Sequence, residues 1–177
     1  MAGDERLRLF CALCLPEETV GSLVGWQERE LRGGRLVVPG NLHVTLAFLG
    51  SRPSVEVPAI AGALHEAAAG TGALQLRVRG YRETRSVGML TFEDEHGAAT
   101  AVAERLQEGL EELGVYRREA RPWLPHVTVL RFRERPRLRP ELPELGDVVP
   151  SGAAVFMSRL RPGGAEYESV ETVALGG

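Results

Sequence analysis

The chain has 177 residues, a formal net charge of −3, and 44% hydrophobic and 25% charged residues. A chain of this length buries roughly 70% of its unfolded surface, so neither a disulfide framework nor a structural metal is required, and it fits one domain or two small fused lobes. No apolar run approaches the ~18 residues of a membrane-spanning helix, and the net charge does not advertise nucleic-acid binding by the fold as a whole.

Leu7 to Leu15 is the first apolar stretch. Asp4 and Glu5 precede it, Pro16-Glu17-Glu18 follow it, and no small-residue cleavage pattern accompanies it. It therefore reads as a buried strand and not as a signal peptide, and the protein as cytoplasmic. Cys11 and Cys14 have redox or metal spacing, but i and i+3 face opposite sides of a strand and no second cysteine pair exists. They are expected to be small core residues.

Glu17 to Arg32 carries apolar residues at Val20, Leu23, Val24, Trp26/Gln27 and Leu31, which is helical spacing closed by Gly33-Gly34. Leu36 to Gly40 leads into a strand that includes His43 and is expected to stop at Gly50-Ser51-Arg52-Pro53. A second helix spans about Val57 to Ala69. Leu74, Leu76 and Val78 alternate with polar residues and predict a half-exposed strand, hairpinned with Val87 to Phe92. A third helix runs from about Gly97 to Leu113 on a stripe of Ala99, Val102, Leu106, Leu110 and Leu113, with Gly114 as its cap.

A strand from about Pro125 to Arg133 follows. Glu134 to Gly146, rich in Pro, Arg and Glu, is expected to be a loop and the most mobile segment. Val155 to Leu160 and Tyr167 to Leu175 then pair across a Pro162-Gly163-Gly164 turn. The order β-α-β-α-β-β-α-β-loop-β-β predicts an α+β fold with largely antiparallel sheets. A helix before each histidine-bearing strand hints at duplication, with two similar lobes facing each other across a groove.

The chemistry lies in a repetition. Asn41-Leu42-His43-Val44-Thr45-Leu46-Ala47-Phe48 is echoed by Pro125-His126-Val127-Thr128-Val129-Leu130-Arg131-Phe132. Residues i and i+2 of a strand share a face, so each copy sets an imidazole beside a hydroxyl, with apolar residues behind. One imidazole can act as acid while the other acts as base, the pair of steps that phosphodiester cleavage requires. The Thr45 and Thr128 hydroxyls, and a guanidinium such as Arg131, would stabilise charge on the non-bridging oxygens. The scheme needs no metal. Zinc held by His43 and His126 is the competing reading, but neither motif has the carboxylate or thiolate spacing to complete a site. His65 and His96 have no matching context and are expected to be structural or solvated.

Residues 117–139 hold eight arginines against Glu119 and Glu134, and residues 77–85 hold four against Glu83. Either cluster reads as a solvated loop or as a patch for a phosphate-bearing substrate. All 21 basic residues are arginine. The absence of lysine excludes Schiff-base, lysyl-nucleotide and Walker-type chemistry.

The two His-x-Thr motifs resemble the signature of the 2H phosphoesterase superfamily, and more narrowly the RNA 2′,3′-cyclic phosphodiesterases historically called 2′-5′ RNA ligases. Arg8 to Pro16 is similar to that family's opening strand, Asn41 to Gly50 and Pro125 to Arg131 to its two motifs, and Ser158 through Gly164 to Tyr167 to its closing hairpin. The resemblance implies a single bilobal domain over residues 1–177, with two pseudo-symmetric lobes around a central cleft. It implies metal-independent hydrolysis of RNA 2′,3′-cyclic phosphate ends to 2′-phosphomonoesters, together with reversible 2′-5′ RNA ligation, on single-stranded RNA ends such as tRNA fragments, by a cytoplasmic monomer. His126 would activate water, His43 would protonate the departing 3′ oxygen, and Thr45, Thr128 and Arg131 would hold the phosphate. The likeness of the two motifs leaves those two roles interchangeable.

Phe10 and Tyr167 are candidates to stack on a base or ribose, with core packing the alternative for Phe10. Arg131 lies five residues beyond His126, so strict alternation turns it away from the cleft unless a bulge or the strand end redirects it. Two further functions fit the same residues: a phosphodiesterase for small cyclic phosphates or 2′-5′ oligonucleotides, and a non-catalytic RNA-end-binding module.

Overall fold

The computed structural model describes residues 5–175. Among the described residues, eight strands form two antiparallel four-stranded sheets. The first is ordered β3-β1-β7-β8 and comprises β1 (Arg6–Cys14), β3 (His43–Pro53), β7 (Gly152–Arg161) and β8 (Gly164–Val173). The second is ordered β2-β6-β5-β4 and comprises β2 (Arg35–Leu36), β4 (Arg77–Glu83), β5 (Val87–Glu93) and β6 (His126–Arg131). Helices α1 (Glu17–Glu30), α2 (Val57–Ala68) and α3 (Ala98–Glu112) complete the α+β architecture expected from the sequence.

β1 is central, paired with β3 on one side and β7 on the other. Leu9 to Leu13 are accordingly buried on both faces. Cys11 is among them, free, and burial pushes its thiol up to about 12. Cys14 is also a free thiol, half-buried at the strand end. α2 packs on α3 and on β7 and β8, and α3 also reaches β3. α3 starts where Gly97 adopts φ +70° and the Asp94 carboxylate accepts the Thr100 amide at 2.7 Å, a side-chain cap on otherwise unpartnered donors. No helix among the described residues is long and apolar enough to cross a membrane.

Three expectations about segments change. The first His strand continues through Gly50 to Pro53, because β1 offers partners along that whole length. The Leu74/Leu76 alternation belongs to core plugs: β4 begins at Arg77, and Leu76 instead makes an isolated bridge to Val148. The Glu134–Gly146 connector has no regular structure, yet it is tied down and not loose. The Glu83 carboxylate accepts hydrogen bonds from the Arg137 and Leu138 amides at 2.8 and 2.9 Å, and Trp26 Nε1 donates to the Glu141 carbonyl at 2.6 Å.

Candidate active site

β3 and β6 lie next to each other where the two sheets meet. Their histidines open into one cavity of about 520 Å³, lined among others by His43, Thr45, His126, Thr128, Arg131 and Tyr167. Each His-x-Thr pair behaves as alternation predicts: both members are half-buried toward the cleft, while Val44 and Val127 are fully buried behind them.

Alternation then fails in both strands at the same offset. Ala12 pairs with Thr45 and Cys11 with Ala47, so Leu46 is the extra residue of a bulge. Met89 pairs with Thr128 and Gly88 with Leu130, so Val129 is the extra residue in the other strand. A bulge reverses the facing of everything beyond it. Leu46 and Ala47 are both buried, as are Val129 and Leu130; Phe48 and Arg131 then emerge on the cleft side. The sequence-level difficulty with Arg131 is thereby resolved by a bulge. The end of β6 is also pressed close by the chain, because any side chain at Gly34 would collide with the Arg131 backbone carbonyl.

The bulges are held by matching devices. Gln107 Nε2 on α3 donates to the Leu46 carbonyl at 2.9 Å. Gln27 Nε2 on α1 donates to the Val129 carbonyl at 2.9 Å and to that of Val37 at 3.0 Å. These two glutamines and Thr91 are the buried polar residues of the described chain. A buried carbonyl is costly unless it finds a donor, and each helix supplies one, with the Val129 carbonyl also accepting the Val37 amide at 3.1 Å.

The two imidazoles are set alike. His126 Nδ1 lies 2.9 Å from the Leu124 carbonyl, which can only accept, so Nδ1 carries the proton and Nε2 faces the cleft. His43 hydrogen-bonds the Asn41 backbone, and its Nε2 lies 2.9 Å from Thr45 Oγ1. Burial first, then the nearby charges of His126 and Arg131, lowers His43 from 6.5 to about 4, against the opposing pull of the Asn41 bond. In the free protein His43 is therefore neutral at physiological pH.

Phe10 and Tyr167 surround His43. Phe10 is 3% exposed; its ring stacks on the imidazole at 4.9 Å and on Phe156 at 5.2 Å. Phe10 is also in the cavity lining, and these ring contacts fit the core-packing alternative for it. Tyr167 lies edge-on to His43 at 5.4 Å and is less buried, at the cleft wall. His65 and His96 are exposed and line none of this cavity. Among the described residues, no group of three or more His, Cys, Asp or Glu side chains is placed to hold a metal ion.

A family model described as the 2′-5′ RNA ligase superfamily matches residues 16–157. The chain belongs to that superfamily. It is 35% identical to an RNA 2′,3′-cyclic phosphodiesterase of Thermus thermophilus, over 97% of this chain and 91% of that protein. A solved structure from T. thermophilus superposes with a TM-score of 0.81 at 33% identity, covering 97% of this chain and 99% of that one. Escherichia coli LigT complexed with 3′-AMP shares the fold, with a TM-score of 0.83 at 21% identity over 98% of this chain and 100% of that one.

Sequence reasoning missed several residues that line or support this superfamily member's cleft. Gln27 and Gln107 had a signal, since each is a polar residue inside an apolar helical stripe. Trp123, which donates from Nε1 to the Thr45 carbonyl at 3.0 Å, and Asn41, which donates to the Ala165 carbonyl at 2.8 Å, had none. Both bonds join segments far apart in the chain.

Proposed function

We propose that this protein hydrolyses the 2′,3′-cyclic phosphate ends of RNA to 2′-phosphomonoesters, in the cytoplasm and as one bilobal domain. The observation that carries the reading is the shared cavity: two imidazoles, two threonine hydroxyls and the Arg131 guanidinium line it from two different sheets. The likeness to the T. thermophilus enzyme supports the choice of substrate.

In this reading the cyclic phosphate enters between β3 and β6. Thr45, Thr128 and Arg131 donate to its non-bridging oxygens, where negative charge grows as the phosphorus becomes pentacoordinate. His126 Nε2 takes the proton of an attacking water, and His43 Nε2 gives a proton to the departing O3′. The P–O3′ bond breaks, leaving the phosphate on O2′. The Nδ1 hydrogen bond to Leu124 fixes the His126 tautomer that can accept at Nε2.

His43 reaches its acid form through the substrate. The incoming anion opposes the positive charge of Arg131, which together with burial holds this imidazole down. With a 5′-hydroxyl in place of the water, the same proton transfers join a 5′ segment to the cyclic end: the new P–O5′ bond forms as P–O3′ breaks, which leaves a 2′-5′ linkage.

The test is His43→Ala and His126→Ala, each assayed on RNA ending in a 2′,3′-cyclic phosphate with EDTA present. Each variant should lose activity by about 10²–10⁴-fold, as expected for removal of a general acid or base. Full activity in either variant, or loss of wild-type activity on chelation, overturns the proposal.

A further inference from the structure

Phe48 is 50% exposed on a strand whose neighbouring residues are buried, and the Leu46 bulge turns it outward. The Arg8 guanidinium covers its ring at 5.0 Å from the centroid. Beyond Phe48 the cleft does not end. A second cavity of about 450 Å³ shares Thr45, Phe48 and His126 with the first and runs on past Tyr116 and Trp123, with Arg82 and Arg121 in its wall. Both arginines are exposed, and neither makes an ion pair among the described residues. One carboxylate, Glu119, stands against them.

Three aromatic rings and two uncommitted guanidiniums in one groove match the chemistry of single-stranded RNA, in which bases stack on rings and phosphates meet arginine. The volume lies within the ~300–1,000 Å³ range of ordinary ligand pockets. The alternative exit from the cleft, a cavity of about 700 Å³ reached past Arg131, holds Arg35, Arg133 and Arg135. It lacks an open ring: Phe132 is 8% exposed, Arg135 is paired with Glu83, and Arg35 donates to the Gly163 carbonyl.

We infer that the groove of Phe48, Tyr116, Trp123, Arg82 and Arg121 is a nucleotide subsite that holds the RNA strand immediately 5′ of the cyclic-phosphate nucleotide. This rests on the RNA-end reading above. It assigns the enzyme a preference for oligonucleotides over mononucleosides, with one base on the rings and the adjoining phosphate on the arginines.

The experiment compares kcat/KM for a mononucleoside 2′,3′-cyclic phosphate with that for a tetranucleotide ending in the same group. The proteins are the wild type, Tyr116→Ala, the double variant Arg82→Ala/Arg121→Ala, and Arg35→Ala/Arg133→Ala. Wild type should prefer the tetranucleotide. Tyr116→Ala should cut that preference about tenfold, the scale of one lost base stack. The Arg82/Arg121 variant should cut it and flatten its salt dependence. In both, hydrolysis of the mononucleoside should stay at the wild-type rate, which also shows that the variants are folded.

Equal activity of wild type on both substrates overturns the subsite and leaves the catalytic reading standing. So does a preference that survives in these variants and collapses in Arg35→Ala/Arg133→Ala, which would route the strand past Arg131. Absence of wild-type activity on either substrate sinks the catalytic reading itself.

Discussion

Gln107 and Leu46 meet through one hydrogen bond, side-chain amide to backbone carbonyl at 2.9 Å, beneath the bulge that follows the His43-Val44-Thr45 triplet. Gln27 repeats the relationship with Val129 beyond His126-Val127-Thr128. Replacing either by methionine keeps the volume and removes the donor. Loss of a buried partner costs about 1–3 kcal/mol, so each variant should melt several degrees lower. The two should differ in function. Gln27→Met loosens the bulge that aims Arg131 and should raise KM for every cyclic phosphate, whereas Gln107→Met loosens the bulge that aims Phe48. Thermal melts paired with kcat/KM on short and long substrates check both.

Arg131 reaches the cleft only because Val129 is bulged out of the ladder. Arg131→Ala should lower kcat/KM by about 10²-fold, the scale of one lost donor to a developing oxyanion. Arg131→Lys should recover only part of this, since lysine lacks the planar fork that fits a phosphate edge. Steady-state kinetics on a mononucleoside cyclic phosphate isolates the effect.

His43 is expected to titrate near 4 in the free protein, and a two-dimensional NMR pH series reads it directly. Inorganic phosphate should raise it, and so should His126→Ala or Arg131→Ala, each by removing a positive neighbour. The same shift is a stability statement. The unfolded chain takes up this proton near 6.5 and the folded one not until about 4. Stability conferred by the neutral ring is therefore complete above about 6.5 and is lost as pH falls from there to about 4, an effect on the order of 3 kcal/mol. His43→Gln should flatten denaturation midpoints across that window.

Glu83 anchors the connector after β6. Its side chain is 2% exposed; it pairs with Arg135, accepts the Tyr81 hydroxyl at 2.7 Å, and receives the Arg137 and Leu138 amides. Burial alone would raise its carboxyl, but these bonds outweigh it and leave it below its ordinary value. Its contribution is therefore present above the ordinary carboxylate range and is lost as pH falls through the lowered value. Glu83→Ala should open residues 134–146 to limited proteolysis while the rest of the chain stays resistant. Arg137, held at φ +56°, should accept glycine there without loss and with a gain of about 1 kcal/mol.

The helices, the two His strands and the closing hairpin were legible because periodicity reports which face of an element is buried. α3 follows its Ala99-to-Leu110 stripe, and β3 and β6 put histidine and threonine together as a period of two requires. The Leu74/Leu76 alternation misled because burial in a core plug and burial on a sheet face leave the same pattern. The connector read as free because its anchor, Glu83, lies some fifty residues away in sequence, and a charged residue in a strand gives no sign of the amides it will receive.

The order of residues alone carried the groups of the candidate site: two imidazoles, each with a hydroxyl at i+2, on strands of an α+β chain. Alternation is local, so it is written into the order of residues. Tertiary structure decided where Arg131 and Phe48 point and that Phe10 stacks on His43. It also decided that His43 rests neutral. A bulge depends on the register of a neighbouring strand and on a donor from a distant helix, and a pKa depends on what surrounds the ring. Both are set by segments that meet only after the chain has folded.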